Sequence, residues 1–475
     1  MNRDDFFVKT HIPGLDEIIP GFPEGGLVLV SGPPGSGKTI LGMTYIYRGA
    51  IEVQEPGLYA SMFESKDRFL NLASRLGMDF ENLMKKGLVD YLQLPMVLEA
   101  GGASAVNLIM EKAKSMGAKR LVIDSITAIK DVFKDPNEAR VFLQTILSRV
   151  LEQLKCTTIL TKEGEPTGRD FEEYVADAVI SLERTIFENR NLRILKIEKL
   201  RGAEVRFPRA CFTIQKGIRA LPPTELMMPR EPSSPEQVKQ ALPPDPPEAY
   251  TTGVPDLDRE IRGYPKGSTV LIEVDPRLTI KEFSTVIAPT VASYILKGRY
   301  LIAVPIGGVT VDDIKNVFCL HGVSRQEFLE RLYLMVEPGF PGEKTPNTIE
   351  IEANEKVLER ILEISRKLTE KFGHPPIVVF GINRIIRLFG EKKGIQMLHI
   401  AKEYVRARRN LMIWVLRIPE ERLVNALAPT ADVHLKITRR HGCVLLYGVK
   451  PRTPLFAVQP DPTSKTPIPR LVPIV

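Results

Sequence analysis

One run early in the chain has the residue types and spacing of a phosphate-binding loop. It fits the pattern G-x-x-x-x-G-K-[ST] and consists of Gly32, Pro33, Pro34, Gly35, Ser36, Gly37, Lys38 and Thr39. Glycines let successive backbone N–H groups point at phosphate oxygens, where the positive end of a following helix dipole adds to them. The run therefore predicts an ATP site in which Lys38 reaches the β- and γ-phosphates and the Thr39 hydroxyl binds Mg²⁺. We call residues 32–39 the phosphate loop.

Three further side chains could complete this chemistry. Asp124 ends the apolar run Arg120-Leu-Val-Ile-Asp124 and is predicted to hold the metal's water shell. Glu64 follows a predicted strand and is the candidate to position or deprotonate the attacking water, its alternative being a helix N-terminal glutamate favoured by the dipole. Thr161 ends another predicted strand, where it would either sense the γ-phosphate or lie in a solvated loop.

The elements that must position these residues alternate between short β-branched runs and longer helical patterns. The predicted strands cover residues 26–30, 57–62, 121–126 and 157–161, and the predicted helices cover 40–50, 65–76, 103–116 and 138–155. Continuous apolar strands between amphipathic helices indicate a mostly parallel sheet covered on both faces. Ligands bind such sheets at the carboxyl ends of the strands.

The region from Thr10 to Pro222 resembles the KaiC-type branch of the RecA/RadA ATPases. Besides the phosphate loop, the residues that carry the resemblance are Gly14-Leu15-Asp16, Gly21 to Gly26, Phe63-Glu64, Ile123-Asp124-Ser125, Glu173 to Asp177, and Lys199-Leu200-Arg201-Gly202. The resemblance implies that Lys199 and Arg201 project toward the nucleotide of a neighbouring subunit in a ring, commonly a hexamer. The alternative for these two cations is a basic hairpin edge that faces water.

One departure from the family pattern concerns the candidate base. KaiC-type domains usually carry two adjacent glutamates where this chain has Glu64-Ser65. If Glu64 is the base, the loss of the second glutamate favours slow turnover over none.

The chain also resembles itself when it is shifted by 242 positions. Ile12 to Asp16 matches Val254 to Asp258, and Ala176-Asp177 recurs with a small gap as Ala431-Asp432. The predicted fold class is therefore α/β, with two tandem RecA-like P-loop NTPase domains, each a mostly parallel sheet flanked by helices. We expect a first domain over residues 1–221, a proline-rich linker that acts as a semi-rigid spacer over 222–249, and a degenerate second domain over 250–475.

The second copy lacks the residues that bind ATP in the first. Val274 to Lys281 stands where the phosphate loop would be, without a glycine and with Asp275 placed to repel phosphate. Gly381 stands where Asp124 would be. Two independent defects predict that this copy does not bind ATP.

Positive charge is concentrated in the second half. The whole chain has a net charge of +7, whereas residues 251–475 contain 33 basic and 24 acidic side chains. This excess could attract nucleic acid or an acidic protein partner, although a basic run is more often a solvated face. The single tryptophan, Trp414, lies in an apolar run and is predicted to belong to the core.

Composition sets the remaining expectations. No run approaches the roughly 20 apolar residues of a membrane span, and the acidic residues beside the N-terminus differ from a signal peptide, so we expect a cytoplasmic protein. The four cysteines are far apart and are expected to be buried thiols. The leading hypothesis is a slow Mg-dependent ATPase that couples nucleotide state to oligomer assembly or partner binding. A non-hydrolysing regulatory scaffold and a recombination-like DNA motor are the alternatives.

Overall fold

The computed structural model divides the chain into two compact units. The first comprises Met1–Pro222 together with Pro473–Val475, and the second comprises Pro223–Val472. The structure describes residues 6–94, 102–127, 141, 154–168, 170–228, 234–341, 345–352, 356–460 and 466–475. Each unit has its own large sheet and its own hydrophobic clusters on the two faces of that sheet.

The first unit is built on a mostly parallel sheet. Within the described residues this sheet has nine strands in the order β11-β10-β9-β8-β3-β7-β6-β4-β5. They are β3 (Leu27–Gly32), β4 (Gly57–Ser61), β5 (Val89–Gln93), β6 (Arg120–Asp124), β7 (Thr157–Glu163), β8 (Ala178–Phe187), β9 (Arg190–Leu200), β10 (Arg209–Thr213) and β11 (Arg219–Leu221). Strands β3 to β8 pair in parallel, whereas β9, β10 and β11 add antiparallel pairs at one side. A separate antiparallel pair joins β1 (Phe7–Val8) to β2 (Phe22–Pro23).

Helices cover both faces of this sheet, as predicted. The described helices are α1 (Lys38–Glu52), α2 (Lys66–Arg75), α3 (Phe80–Lys85), α4 (Gly102–Ser115) and α5 (Phe171–Val175). Alternate residues of β3 point to opposite faces, so Val28 packs into the cluster that contains Leu41 and Phe69, whereas Leu29 packs with Ile109 of α4. Such two-sided burial explains why the strand is apolar throughout.

The second unit repeats this architecture. Its large sheet has ten strands within the described residues, in the order β17-β16-β15-β18-β19-β14-β20-β21-β22-β23. They are β14 (Thr269–Val274), β15 (Leu301–Val304), β16 (Leu332–Val336), β17 (Thr348–Glu350), β18 (Ile377–Gly381), β19 (Leu411–Leu416), β20 (Val433–Arg440), β21 (Cys443–Lys450), β22 (Phe456–Gln459) and β23 (Arg470–Pro473), and a short pair joins β12 (Ala249–Tyr250) to β13 (Tyr264–Pro265). Strands β14 to β20 are parallel, and β20, β21 and β22 are antiparallel.

The helices of the second unit follow the same alternation with strands. They are α6 (Thr224–Met227), α7 (Pro235–Ala241), α8 (Pro255–Ile261), α9 (Ile280–Leu296), α10 (Val311–Leu320), α11 (Arg325–Arg331), α12 (Lys356–Phe372), α13 (Ile382–Phe389), α14 (Glu391–Arg408) and α15 (Glu421–Leu427). Trp414 of β19 is fully buried among the apolar residues on one face of the sheet, which confirms that it belongs to the core.

The two sheets agree in detail at the positions that the sequence repeat indicates. The Asp177 carboxylate accepts a hydrogen bond from the Leu27 N–H at 2.9 Å, and the Asp432 carboxylate accepts the corresponding bond from the Thr269 N–H at 2.9 Å. In both units this carboxylate fixes the amino end of the strand that leads into the phosphate loop or its counterpart. The shared hydrogen bond supports two copies of one fold.

Most predicted elements of the first unit are present, with shifted ends. The strand predicted over 121–126 ends at Asp124, while the strand predicted over 157–161 continues to Glu163. The helix predicted over 40–50 is longer at both ends: it begins at Lys38, inside the phosphate loop, and ends at Glu52. The helix predicted over 138–155 lies mostly outside the described residues.

The proline-rich segment differs from the spacer that the sequence analysis expected. It belongs to the second unit, and its described part carries the two short helices α6 and α7. Val238 of α7 is only 1% exposed and joins the core of that unit. Proline fits the first turn of a helix, as Pro235 does in α7, so a high proline content did not exclude helical structure here.

Two further expectations can be compared with the structure. Cys156, Cys211 and Cys443 are buried, but Cys319 is exposed on α10, so the expectation of four buried thiols was wrong for that residue. No helix among the described residues is both long and apolar enough to span a membrane.

Candidate nucleotide site

The phosphate loop connects the carboxyl end of β3 to the first turn of α1. Gly32, Gly35 and Gly37 have φ angles of 152°, 73° and 112°, a region that glycine enters at little cost. A Cβ atom on Gly35 would meet no atom within 4 Å, so this part of the loop borders open space. Gly37 is the N-cap of α1 and has no side chain to cap the first N–H groups of the helix. The loop therefore has the form of a cradle for an anion.

Lys38 folds back over the loop. Its Nζ atom donates to the carbonyl oxygens of Gly32 at 2.7 Å and Pro33 at 3.1 Å. Burial lowers the pKa of the Lys38 ammonium group, and the carboxylates of Glu163 and Asp124 oppose that shift. The ammonium group is thus held at the loop by neutral acceptors, which phosphate oxygens can replace with stronger, charge-assisted bonds.

A second polar group of the loop lacks a partner. The Oγ atom of Ser36 is buried and accepts or donates no hydrogen bond within the described part of the chain. A buried hydroxyl of this kind can bond to an ordered water or to a bound ligand. A nucleotide phosphate at the loop would supply that partner.

Asp124 lies at the meeting point of three strands and α1. Its carboxylate accepts hydrogen bonds from the hydroxyls of Thr39 at 2.8 Å, Tyr59 at 2.7 Å and Thr161 at 2.5 Å. The structure therefore brings together Thr39, Asp124 and Thr161, which the sequence analysis had selected separately. Thr161 reaches Asp124, so it is not in a solvated loop.

Tyr59 is a site residue that the sequence analysis missed. It lies within β4, and it is almost fully buried beside Phe69 and Tyr91. Burial raises the pKa of the Tyr59 phenol, and the negative charge of Asp124 raises it further. The phenol therefore stays protonated and acts as a fixed donor that orients the Asp124 carboxylate.

Glu64 lies just beyond the end of β4, on the carboxyl-end side of the sheet. Its N–H donates to Ser61 Oγ at 3.2 Å, and the Tyr91 hydroxyl donates to its carbonyl oxygen at 2.6 Å. These bonds hold the main chain and leave the half-buried carboxyl group available. Burial raises the pKa of that carboxyl group, and the charge of Asp124 adds to the increase. A raised pKa beside a phosphate loop fits a group that accepts a proton.

Ser65, which replaces the second glutamate of the family pattern, has a structural task. It is the N-cap of α2, and its side chain accepts a hydrogen bond from the Arg68 N–H at 3.4 Å. The residue therefore starts the helix that follows Glu64 and contributes no second carboxylate.

Lys199 and Arg201 lie near the amino end of β3, on the side of the sheet opposite to the phosphate loop. Lys199 Nζ donates to the carbonyl oxygen of Tyr174 at 2.8 Å, and Arg201 pairs with the Asp177 carboxylate at 3.1 Å. Asp177 accepts a hydrogen bond from the first residue of β3, whereas the phosphate loop begins at Gly32, the last residue of that strand. The rise of a strand separates these two ends by about 17 Å. Within one chain, the two cations are thus remote from the phosphate loop.

Arg193 of β9 is a second residue that the sequence analysis missed. Its Nη1 atom donates to the carbonyl oxygens of Gly35 at 3.2 Å and Ser36 at 3.1 Å, and its Nε atom donates to the Val475 oxygen. These contacts join residues far apart in the chain, and no local sequence motif predicts them.

Comparison with known proteins agrees with this geometry. The family model described as "ATPase: KaiC" matches residues 8–225, which is nearly all of the first unit. Residues 8–225 are thus a KaiC-like ATPase domain, homologous to KaiC proteins. The family assignment supports nucleotide binding at the phosphate loop.

Several relatives show how far the similarity extends. The circadian clock protein KaiC2 of Synechocystis sp. is 31% identical over 55% of this chain and 46% of its own length. A UPF0273 protein of Sulfurisphaera tokodaii is 28% identical over 42% of this chain and 77% of its own length. The crystal structure of a KaiC-like protein from Pyrococcus horikoshii matches 46% of this chain and 99% of its own, with 33% identity and a TM-score of 0.42. The chain thus covers about half the length of the KaiC proteins that it matches.

In the second unit, the segment that corresponds to the phosphate loop is held by hydrogen bonds among its own side chains. Asp275 accepts hydrogen bonds from the Arg277 N–H at 3.0 Å and Nε at 2.9 Å, and from the Thr438 hydroxyl at 3.0 Å. These bonds hold the pKa of the Asp275 carboxyl group far below its usual range, and the bond from the Arg277 side chain has the largest effect. Asp275 therefore stays a carboxylate. A phosphate at this loop would meet the Asp275 carboxylate, and the Arg277 guanidinium, which could otherwise attract the phosphate, is already paired with that carboxylate.

The N-terminus of α9, the helix after this loop, is already capped by its own side chains and disfavours an anion. Thr279 and Glu282 form a capping box in which the Thr279 N–H donates to the Glu282 carboxylate at 2.8 Å. Arg439 approaches the same carboxylate at 3.3 Å. The N-terminus of α9 thus carries an internal acid where α1 of the KaiC-like domain has only glycine.

Proposed function

We propose that the KaiC-like domain binds Mg-ATP and hydrolyses it slowly in the cytoplasm, and that its nucleotide state controls oligomer assembly or partner binding. The observation that carries the proposal is the 2.8 Å hydrogen bond between Thr39 and Asp124. It joins the last residue of the phosphate loop to the carboxylate at the end of β6, which is the pair that holds the metal in P-loop NTPases.

The residues present fit Mg-ATP. The first turn of α1 has no side-chain cap, Gly35 borders open space, and the Ser36 hydroxyl has no partner among the described residues, so the loop offers donors and room to an anion. Lys38 would bind the β- and γ-phosphates, while Thr39 and Asp124 would hold Mg²⁺. The metal would offset the negative charge of the phosphates.

Glu64 is the proposed base. Its carboxylate would take a proton from the water whose oxygen attacks the γ-phosphorus, while the bond from that phosphorus to the bridging oxygen of ADP breaks. The raised pKa of Glu64 favours this proton transfer near neutral pH. Ser65 adds no second carboxylate, and for that reason we propose slow turnover.

Lys199 and Arg201 are proposed to act on the nucleotide of a neighbouring subunit. Their place near the amino end of β3 keeps them from the phosphate loop of their own chain, so they can contribute only in an oligomer, such as the ring that the family resemblance implies. Cations there would offset charge that develops on the transferring phosphoryl group.

Substitution of the proposed base separates an enzyme from a scaffold. In Glu64→Gln the side chain keeps its shape but cannot accept the proton, so phosphate release should fall by about 10²-fold or more, while Mg-ATP affinity stays near that of the wild type. Glu81→Gln, at an exposed glutamate in the first turn of α3, is the matched control. Equal phosphate release by the wild type and Glu64→Gln would show that ATP only orders a regulatory scaffold.

Nucleic acid is the natural addition to this assay, because the excess positive charge lies in residues 251–475. Turnover that rises with single-stranded DNA, together with binding that weakens as salt increases, would instead support a DNA motor.

A further inference from the structure

The guanidinium group of Arg193 binds the main chain of the phosphate loop from the side of β9. Nη1 of Arg193 bonds to the carbonyl oxygens of two consecutive loop residues, Gly35 and Ser36. The side chain is only 5% exposed, and its guanidinium lies 5.9 Å from the centre of the Phe212 ring. A buried cation with bonds to two adjacent carbonyls fixes the orientation of both peptide planes.

That orientation matters for phosphate binding. In a trans peptide the C=O and the following N–H point in opposite directions. When Arg193 draws the carbonyls of Gly35 and Ser36 toward β9, the N–H groups of Ser36 and Gly37 must point away from β9. The Ser36 N–H accordingly donates to the Pro33 oxygen across the loop at 3.2 Å. Phosphate oxygens within the loop would accept hydrogen bonds from these same N–H groups.

Arg193 is itself held by a short segment near the other end of the sequence. Its Nε atom donates to the Val475 oxygen, and two residues earlier the Pro473 oxygen accepts a hydrogen bond from the Thr213 hydroxyl at 2.7 Å. Pro473–Val475 belongs to the first unit. Without Val475, a donor of a buried guanidinium would lose its partner, which is costly enough to make the side chain shift.

We infer that Arg193 is a positioning residue for the phosphate loop and that residues 473–475 hold it in place, so that this segment sets the affinity for the triphosphate of the nucleotide. The inference rests on the proposed function, because it assumes that the loop binds Mg-ATP. It adds a means of control, since any event that releases the segment from Thr213 and Arg193 weakens nucleotide binding.

The test compares four variants of the full chain by calorimetry with Mg-ATP and with magnesium tripolyphosphate. Arg193→Met should weaken the binding of both probes about tenfold, as expected for a lost charge-assisted hydrogen bond. Removal of residues 473–475 should weaken it by a similar factor, and Thr213→Val by a smaller one. Arg184→Met, at the exposed residue opposite Arg193 on β8, removes the same charge without a loop contact and should have no effect.

A double variant gives the decisive result. If the segment acts through Arg193, removing residues 473–475 from Arg193→Met should cause little further loss, whereas independent effects would multiply. Arg193→Lys should recover part of the affinity, and melting without ligand shows whether each variant folds. Should Arg193→Met fail to fold, the loss expected for Thr213→Val still tests the role of the segment.

Two failures can be told apart. A wild type that binds neither probe contradicts the proposed function. A wild type that binds both, with Arg193→Met or Thr213→Val unchanged or with multiplying effects in the double variant, overturns the positioning role alone.

Discussion

Asp124 is the residue on which the first unit's site converges. Hydroxyls from α1, β4 and β7 all donate to one carboxylate, so its oxygens are fixed before any ligand arrives. Preorganised groups of this kind bind a metal and its nucleotide without first having to be ordered. At the scale of single residues, the site is a carboxylate held by donors and a loop held by Arg193.

The pH dependence of turnover should report Glu64. Only the carboxylate form accepts a proton, and its pKa is raised by burial and by Asp124. Turnover should therefore fall as the pH drops through that raised pKa, with a midpoint above the ordinary value of about 4.3. The measurement is phosphate release against pH at saturating Mg-ATP, with binding followed in parallel. A midpoint at or below the ordinary value would contradict Glu64 as the base.

Local sequence revealed part of this site. The phosphate loop and Asp124 stand in patterns that one segment can display, so both were predictable. Tyr59 and Arg193 could not be selected in the same way, because their roles depend on which strands become neighbours. Arg193 reaches Gly35 across 158 positions of sequence, and nothing near Arg193 in the sequence indicates that contact.

At the scale of elements, α1 and α9 begin at corresponding places with opposite chemistry. Gly37 leaves the first turn of α1 uncapped, whereas Thr279 and Glu282 close the first turn of α9. The first N–H groups of an uncapped helix need acceptors, which water or a bound anion can supply. The caps therefore support a ligand-binding first unit and a second unit that is stabilised from within.

The capping box makes a stability prediction. Thr279→Ala should lower the free energy of unfolding of the second unit by about 1 kcal/mol, because the helix loses its N-cap. Fluorescence of Trp414, which lies in that unit, measures the change during unfolding by denaturant. Ser234→Ala is the control, since Ser234 precedes α7 without a capping bond from its side chain. Unchanged unfolding of Thr279→Ala, or a change in its Mg-ATP affinity, would contradict this account of α9.

The proline-rich segment shows where composition misled at this scale. Its prolines indicated an extended spacer, yet α7 places Val238 in the core of the second unit, against Gly322. A seven-residue helix with one buried side chain leaves little periodic signal in a sequence. Its stability comes from the surface that it packs on, and a local pattern does not contain that surface.

At the scale of the whole molecule, the chain contains one fold twice with unequal chemistry. The fold class was predictable because the repeat, the apolar strands and the helical patterns all agree. That the second unit does not bind ATP stays a prediction from the sequence. The structure supplies a physical reason for it, since Asp275, Arg277 and Glu282 occupy the anion-binding positions with internal bonds.

The number of nucleotides bound per chain tests this account most directly. Calorimetry with a non-hydrolysable ATP analogue and Mg²⁺ should give one site per chain for the wild type and none for Lys38→Ala. Arg277→Ala, in the loop of the second unit, should retain the single site. Two sites in the wild type, or binding by Lys38→Ala equal to that of the wild type, would contradict the account.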